Sequence, residues 1–209
     1  MTTDIPAPLF TDPAAEERLQ RAAAALTDHG FVVEIVDSAA AARARVEQMI
    51  PEGAAVFTGA SETLRLSGID DALNTSGRYD SVKARGWTMD RVTQRNEIWA
   101  ALSVPDFIVG SVAAVTETGS LVAGSASGSQ LPGYAGAAAR AIWVVGAQKI
   151  VPDLPAALRR VEEHCLPLEN ERTQKVYGQP AALNRVLIMN AETEPGRGTV
   201  LLIREAIGF

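Results

Sequence analysis

The chain has 209 residues, with 19 basic against 25 acidic side chains and a net charge of -6. This balance argues against a dedicated nucleic-acid-binding protein, whose binding face is usually basic. One cysteine, Cys165, and two histidines are too few for a disulfide, a cysteine-based zinc or iron–sulfur site or a three-histidine metal site within one chain. We therefore predict no metal site.

The hydropathy and the first residues of the chain predict its cellular location. No run approaches the roughly 18 apolar residues of a membrane span, and the first residues lack the basic and apolar regions of a secretory signal. We therefore expect a cytoplasmic protein. Residues 1–11 are predicted to form a flexible arm, and residues 12–209 a single α/β domain.

The first half of the chain alternates helical and strand patterns. Apolar residues at helical spacing predict helices, and short runs rich in β-branched residues predict strands. The predicted helices cover 13–29, 38–50, 61–73 and about 88–102, and the predicted strands cover 31–36, 54–57 and 79–82.

The alternation continues in the second half. Strands are predicted over 106–109 and 141–145, a bent strand pair over 112–122 and an amphipathic helix over 153–165. The strands at 185–189 and 199–203, with Pro195 and Gly196 between them, predict a hairpin. Strand–helix alternation predicts an open sheet that helices cover on both faces.

Three loops contain candidate functional residues. Gly59, Ser61 and Thr63 follow an apolar strand, where α/β sheets bind ligands, although Ser61 could simply cap the next helix. The uncharged loop 124–133 contains Gly128 and could surround an anion with backbone amides and hydroxyls, or it could be merely flexible.

Glu117 lies between two apolar runs, in the segment Thr116–Ser120. Partial burial would raise its pKa and suit it to proton transfer or nucleophilic attack. The alternative is a solvated turn, for which Thr118, Gly119 and Ser120 are suitable residues. We predict Glu117 as the candidate catalytic residue.

Familiar enzyme motifs are missing. The sequence has no phosphate-binding P-loop and no dinucleotide-binding glycine motif. The segment 124–128 resembles a nucleophile elbow, but its central residue is Ala126 instead of serine. His164 and Cys165 are neighbours and would point about 100° apart on a helix, which disfavours a catalytic pair. The sequence therefore identifies no cofactor.

Several segments together resemble the lactate-utilisation (LUD) domain family, in its short stand-alone branch. They are VTETGSLV at 115–122, AIWVVGAQKIV at 141–151, TGASETL at 58–64 and EPGRGTVLLIREAIGF at 194–209. The resemblance implies a three-layer α/β/α fold similar to ribose-5-phosphate isomerase, glucosamine-phosphate isomerase and coenzyme A transferase. It also implies a link to lactate oxidation, in which an iron–sulfur subunit is a possible partner.

The chain departs from the family pattern at three positions. Thr58 replaces a glycine, and Ser125 and Gln130 stand where family members often have aspartate and arginine. Losing the arginine removes a bidentate partner for an anion. Either this loop then binds no phosphate or carboxylate, or another group such as Lys149 or Arg140 supplies the charge. The predicted ligand-binding residues are Gly59, Ser61, Thr63, Thr118, Gly119, Ser120, Gly128 and Lys149.

Three functions follow as hypotheses. The first is a protein of organic-acid (lactate) metabolism that binds a small anionic metabolite or cofactor between the 58–63 loop and the 116–133 segment. The second is a transferase or isomerase that uses Glu117. The third is a non-catalytic partner subunit of a lactate-oxidising complex, with an interface that could include Trp87, Trp99 and Trp143, although core packing is the expected role of these tryptophans.

Overall fold

Residues 10–209 are described by a computed structural model of the chain. The predicted flexible arm, residues 1–11, lies almost entirely outside the described residues. The helices are α1 (Glu16–Asp28), α2 (Ala39–Met49), α3 (Glu62–Leu66), α4 (Ile69–Thr75), α5 (Val82–Thr88), α6 (Arg95–Ser103), α7 (Leu154–Arg159) and α8 (Leu166–Tyr177). The strands are β1 (Val32–Val36), β2 (Ala55–Thr58), β3 (Asp80–Ser81), β4 (Phe107–Gly110), β5 (Ala114–Thr116), β6 (Leu121–Ser125), β7 (Arg140–Gly146), β8 (Ile150–Val151), β9 (Arg185–Met189) and β10 (Gly198–Ile203).

A parallel sheet of six strands forms the centre of the structure. Its order is β1-β10-β7-β4-β2-β3, and every neighbouring pair runs parallel, with Val200 beside Trp143 in the β10–β7 pair. The central strands β7 and β10 are buried over almost their whole length. Such continuous apolar runs are typical of parallel strands that are covered on both faces.

Helices cover both faces of this sheet. Successive side chains of a strand point to opposite faces. Ile142 and Val144 accordingly pack with residues of α2, α3 and α4, whereas Trp143 and Val145 pack on the other face with α1. The predicted three-layer α/β/α architecture is therefore confirmed.

A second sheet, in the order β8-β5-β6-β9, packs on the α1 side of the molecule. Strands β5 and β6 form the predicted bent pair as an antiparallel hairpin, and α7 covers the outer face of this sheet. The predicted hairpin between 185–189 and 199–203 is wrong. Strand β9 pairs with β6 in the second sheet, while β10 lies between β1 and β7 in the first.

Several helices differ from their predicted extents. The predicted helix over 61–73 is two helices, because Gly68 adopts a left-handed conformation (φ 72°) between them. The helix predicted over 153–165 continues to Tyr177 through a π-helical segment, Arg160–Cys165. Within residues 10–209, no helix combines the length and the apolar character that a membrane crossing requires.

The tryptophans divide between core and surface. Trp143 is fully buried, as expected, whereas Trp87 on α5 is 67% exposed. Core packing is therefore confirmed for Trp143 and wrong for Trp87, whose ring faces the guanidinium of Arg91.

Candidate functional site

A cavity of about 340 Å³ opens where three strands of the central sheet end. Its wall includes Ser61 after β2, Ser111 after β4 and Lys149 after β7, together with the end of β6 and the helical segment around Cys165. The carboxyl ends of parallel strands are the usual ligand-binding edge of an open α/β sheet. The volume lies within the range of pockets for small molecules.

Lys149 lies at the base of this cavity on a short turn after β7 and is 1% exposed. Its Nζ donates to the hydroxyls of Thr63 (2.9 Å) and Ser111 (3.0 Å) and to the carbonyl oxygen of Val112 (3.2 Å). All three acceptors are neutral. Burial, helped by the charge of Arg160, lowers the pKa of Lys149 to about 7.

Arg160 is a second buried cation, behind the cavity wall. Its Nη1 donates to the carbonyl oxygen of Ala113 and to the sulfur of Cys165 (3.0 Å), and its Nη2 donates to the carbonyl oxygen of Phe10. Its Nε has no hydrogen-bond partner in the described chain. Burial raises the pKa of the Cys165 thiol, so the groups that accept hydrogen bonds from Arg160 in the described chain are neutral.

The π-helical segment explains why Arg160 and Cys165 meet. A π-helix brings residues i and i+5 together, and such segments are frequent at functional sites. The sequence suggests only His164 as a neighbour of Cys165, at ordinary helical geometry, and does not reveal its actual partner, Arg160. No simple sequence signal identifies this π-helical segment.

The serine-containing loop forms another part of the wall. Ser125 donates to the side-chain oxygen of Gln130 (3.0 Å) and accepts from the backbone of Gly128 (2.9 Å). A Cβ on Gly59 would lie 3.5 Å from the Cβ of Gln130. The structure thus brings the loops at 58–63 and 124–133 together, and Ser125 and Gln130 bond to each other.

The two side-chain carboxylates that line the cavity are already paired. Glu62 accepts from Arg65 (2.7 Å) and Glu169 from Arg172 (2.6 Å). Each pair lies within one helix, three residues apart, so neither carboxylate neutralises Lys149. Among residues 10–209, no carboxylate makes an ion pair with Lys149 or Arg160.

The structure places Glu117 elsewhere. Its carboxylate accepts from Arg18 (2.5 Å) and Arg21 (2.8 Å), both on α1. Burial acts to raise the pKa of Glu117, but the two arginines outweigh it and lower the pKa below its ordinary value. The expectation of a raised pKa is therefore wrong, and Glu117 does not line the cavity. Its catalytic role stays a prediction that the geometry does not favour.

The neighbours of Glu117 are parts of the same hairpin turn. Thr118 bonds to Thr116, Ser120 donates to Asn190, and Gly119 (φ 86°) packs closely against α1. None of these three residues lines the cavity. The prediction that they bind a ligand together with Gly59 and Ser61 has no support in the geometry.

The other predicted residues have distinct placements. Ser61 lines the cavity and also caps α3 by accepting from Leu64 N–H. Thr63 touches Lys149. Arg140 is exposed, and within residues 10–209 its side chain bonds only to the carbonyl of Ala139. The cation at this site is therefore Lys149. Thr58 is buried and donates to Asp70 (2.7 Å), which gives its hydroxyl a structural role.

Fold and cavity together define an α/β protein with a ligand-sized site at the carboxyl edge of its parallel sheet. The LUD domain family model matches residues 19–183 of this chain. The chain belongs to the LUD (lactate-utilisation) domain family.

The chain is similar in fold to a solved structure of a DUF162 family protein from Deinococcus radiodurans, with a TM-score of 0.54 and 13% identity over 91% of this chain and 99% of that one. A comparison with curated proteins gives no match.

Proposed function

We propose that the protein binds a small organic acid in the cavity at the carboxyl edge of its central sheet, with the carboxylate of the ligand against Lys149. The observation that carries this proposal is a buried ammonium group whose partners are two hydroxyls and a carbonyl. Burying a charge without a counter-ion is costly. A bound carboxylate would supply that counter-ion, and Arg160 behind the wall adds to the positive potential.

Membership of the LUD domain family supports organic acids of lactate metabolism as the ligand class. We therefore propose L-lactate and its oxidised form, pyruvate, as the first candidates. Both are small enough for a cavity of about 340 Å³.

Isothermal titration calorimetry tests this proposal. We expect saturable binding of lactate or pyruvate to the wild-type protein. The Lys149→Met variant should bind about tenfold more weakly or worse, because it loses a charge-assisted hydrogen bond. Lys175→Met, which changes an exposed lysine on α8, is the matched control and should bind as the wild type does.

The affinity should also depend on pH. Because the pKa of Lys149 is about 7, the ammonium form loses its proton above that pH and the affinity for an anion should fall, by up to about tenfold per pH unit. Equal affinity of the wild type and Lys149→Met would contradict the proposal.

A further inference from the structure

We propose that Lys149 also acts as a nucleophile, and that it condenses with the carbonyl carbon of an α-oxo carboxylic acid to form an imine. This inference rests on the proposed function, because the same cavity must first bind the carboxylate. It names the substrate class as acids with a carbonyl next to the carboxylate, of which pyruvate is the smallest ordinary example.

The surroundings of Lys149 distinguish it from the other two lysines of the chain. Lys83 is paired with Asp70 (2.9 Å), and Lys175 is exposed to solvent. Lys149 is buried, lines a cavity and has only neutral partners. A desolvated amine next to another cation is a recurrent form of activated lysine in proteins, and Arg160 is that cation here.

Imine formation requires the neutral amine. With a pKa of about 7, a substantial share of the Lys149 side chains is neutral near pH 7. That fraction exceeds that of an ordinary lysine by a factor on the order of 10³. The neutral amine keeps two N–H groups for the surrounding acceptors and has a lone pair for attack.

The reaction balances without a further reagent. The lone pair of Nζ attacks the carbonyl carbon, and a C–N bond forms while the C=O double bond becomes a C–OH group. The two amine hydrogens and the carbonyl oxygen then leave as one water molecule, which gives C=N. The hydroxyl of Ser111 lies 3.0 Å from Nζ and that of Thr63 lies 2.9 Å from it, so both are placed to exchange protons during these steps.

The product also suits the charges of the cavity. Protonation of the imine gives a cation, and the carboxylate of the same ligand neutralises it within the site. A 2-hydroxy acid such as L-lactate has the same carboxylate but no carbonyl carbon. The geometry therefore predicts reversible binding of both acids and covalent capture of the oxo acid alone.

The test is reductive trapping of the purified wild-type protein with pyruvate and sodium cyanoborohydride, followed by intact-mass analysis and peptide mapping. We expect the principal lysine adduct, with the added mass of pyruvic acid less one oxygen atom, at Lys149. Labelling of Lys149 should exceed that of Lys83 or Lys175 by about tenfold or more. L-lactate under the same conditions should give no adduct.

The Lys149→Arg variant is the matched control, since it keeps a cation but has no nucleophilic amine, and it should give no adduct. An absence of labelling at Lys149, or equal labelling of all three lysines, in the wild-type protein overturns the inference whether or not the variant folds. If calorimetry still shows saturable binding of pyruvate in that case, the proposed function survives. If neither acid binds, the proposed function fails as well.

Discussion

Burying Lys149 has a cost that depends on pH. The pKa of this side chain is about 7 in the folded protein, because of burial and the charge of Arg160, against 10.5 when unperturbed. Between pH 7 and pH 10.5, Lys149 is protonated in the unfolded chain but neutral in the folded one, so the unfolded chain binds more protons. The free energy of unfolding should therefore rise with pH in this window, with a slope that approaches about 1.4 kcal/mol per pH unit for one proton.

Chemical denaturation of the wild type and Lys149→Met, in a buffer without carboxylate or phosphate, measures this effect. We expect the variant to gain stability relative to the wild type near pH 7, because it buries no charge. That advantage should shrink as the pH rises toward 10.5. A stability difference that does not change with pH would show that Lys149 titrates normally.

At the scale of elements, Glu117 joins the β5–β6 hairpin to α1. It accepts from two arginines that lie 99 and 96 residues away in sequence, and its side chain is 15% exposed while those of Arg18 and Arg21 are 36% and 58% exposed. Solvent screens such pairs, so Glu117→Gln should lower the free energy of unfolding by only about 0.5 to 1 kcal/mol.

This loss should also depend on pH. The pKa of Glu117 is lowered in the folded protein, so its contribution is present above the ordinary glutamate value and is lost as the pH falls through the lowered one. Chemical denaturation together with calorimetry checks the assignment. We expect the affinity for the organic acid to be unchanged in Glu117→Gln, and a large loss of affinity would instead place Glu117 in the site.

The positions of the strands could be predicted better than the way in which the strands pair. Runs such as 31–36, 141–145 and 199–203 are dense in β-branched and apolar residues, and the structure has a strand in each. Strand pairing is harder to predict, because it depends on residues that are far apart in sequence. Pro195 and Gly196 predict a turn, but nothing local shows that β9 and β10 belong to different sheets.

The helices show a similar limit. The segment 82–88 contains Gly86, which lowers its helix propensity. The segment nevertheless forms α5, with Ser81 as its N-cap. The helix predicted over 153–165 does not end there. The chain continues into α8, and the intervening π-helical segment places Arg160 beside Cys165.

For the molecule as a whole, the sequence predicted the edge of the sheet at which the cavity lies but only part of its lining. Ser61 and Lys149 line the cavity and follow strands of the central sheet, and their loops meet because parallel strands end at one edge. Glu117 follows a strand of the second sheet, which points it at α1. Local sequence does not reveal which sheet a short strand joins. The sequence alone therefore could not show whether Glu117 lies near Ser61.

A crystal structure of the protein grown with saturating L-lactate tests the central claim most directly. We predict lactate in the cavity lined by Ser61, Ser111 and Lys149, with a carboxylate oxygen within hydrogen-bond distance of Lys149 Nζ. Lactate bound at another place, with the cavity holding only water, would contradict the account.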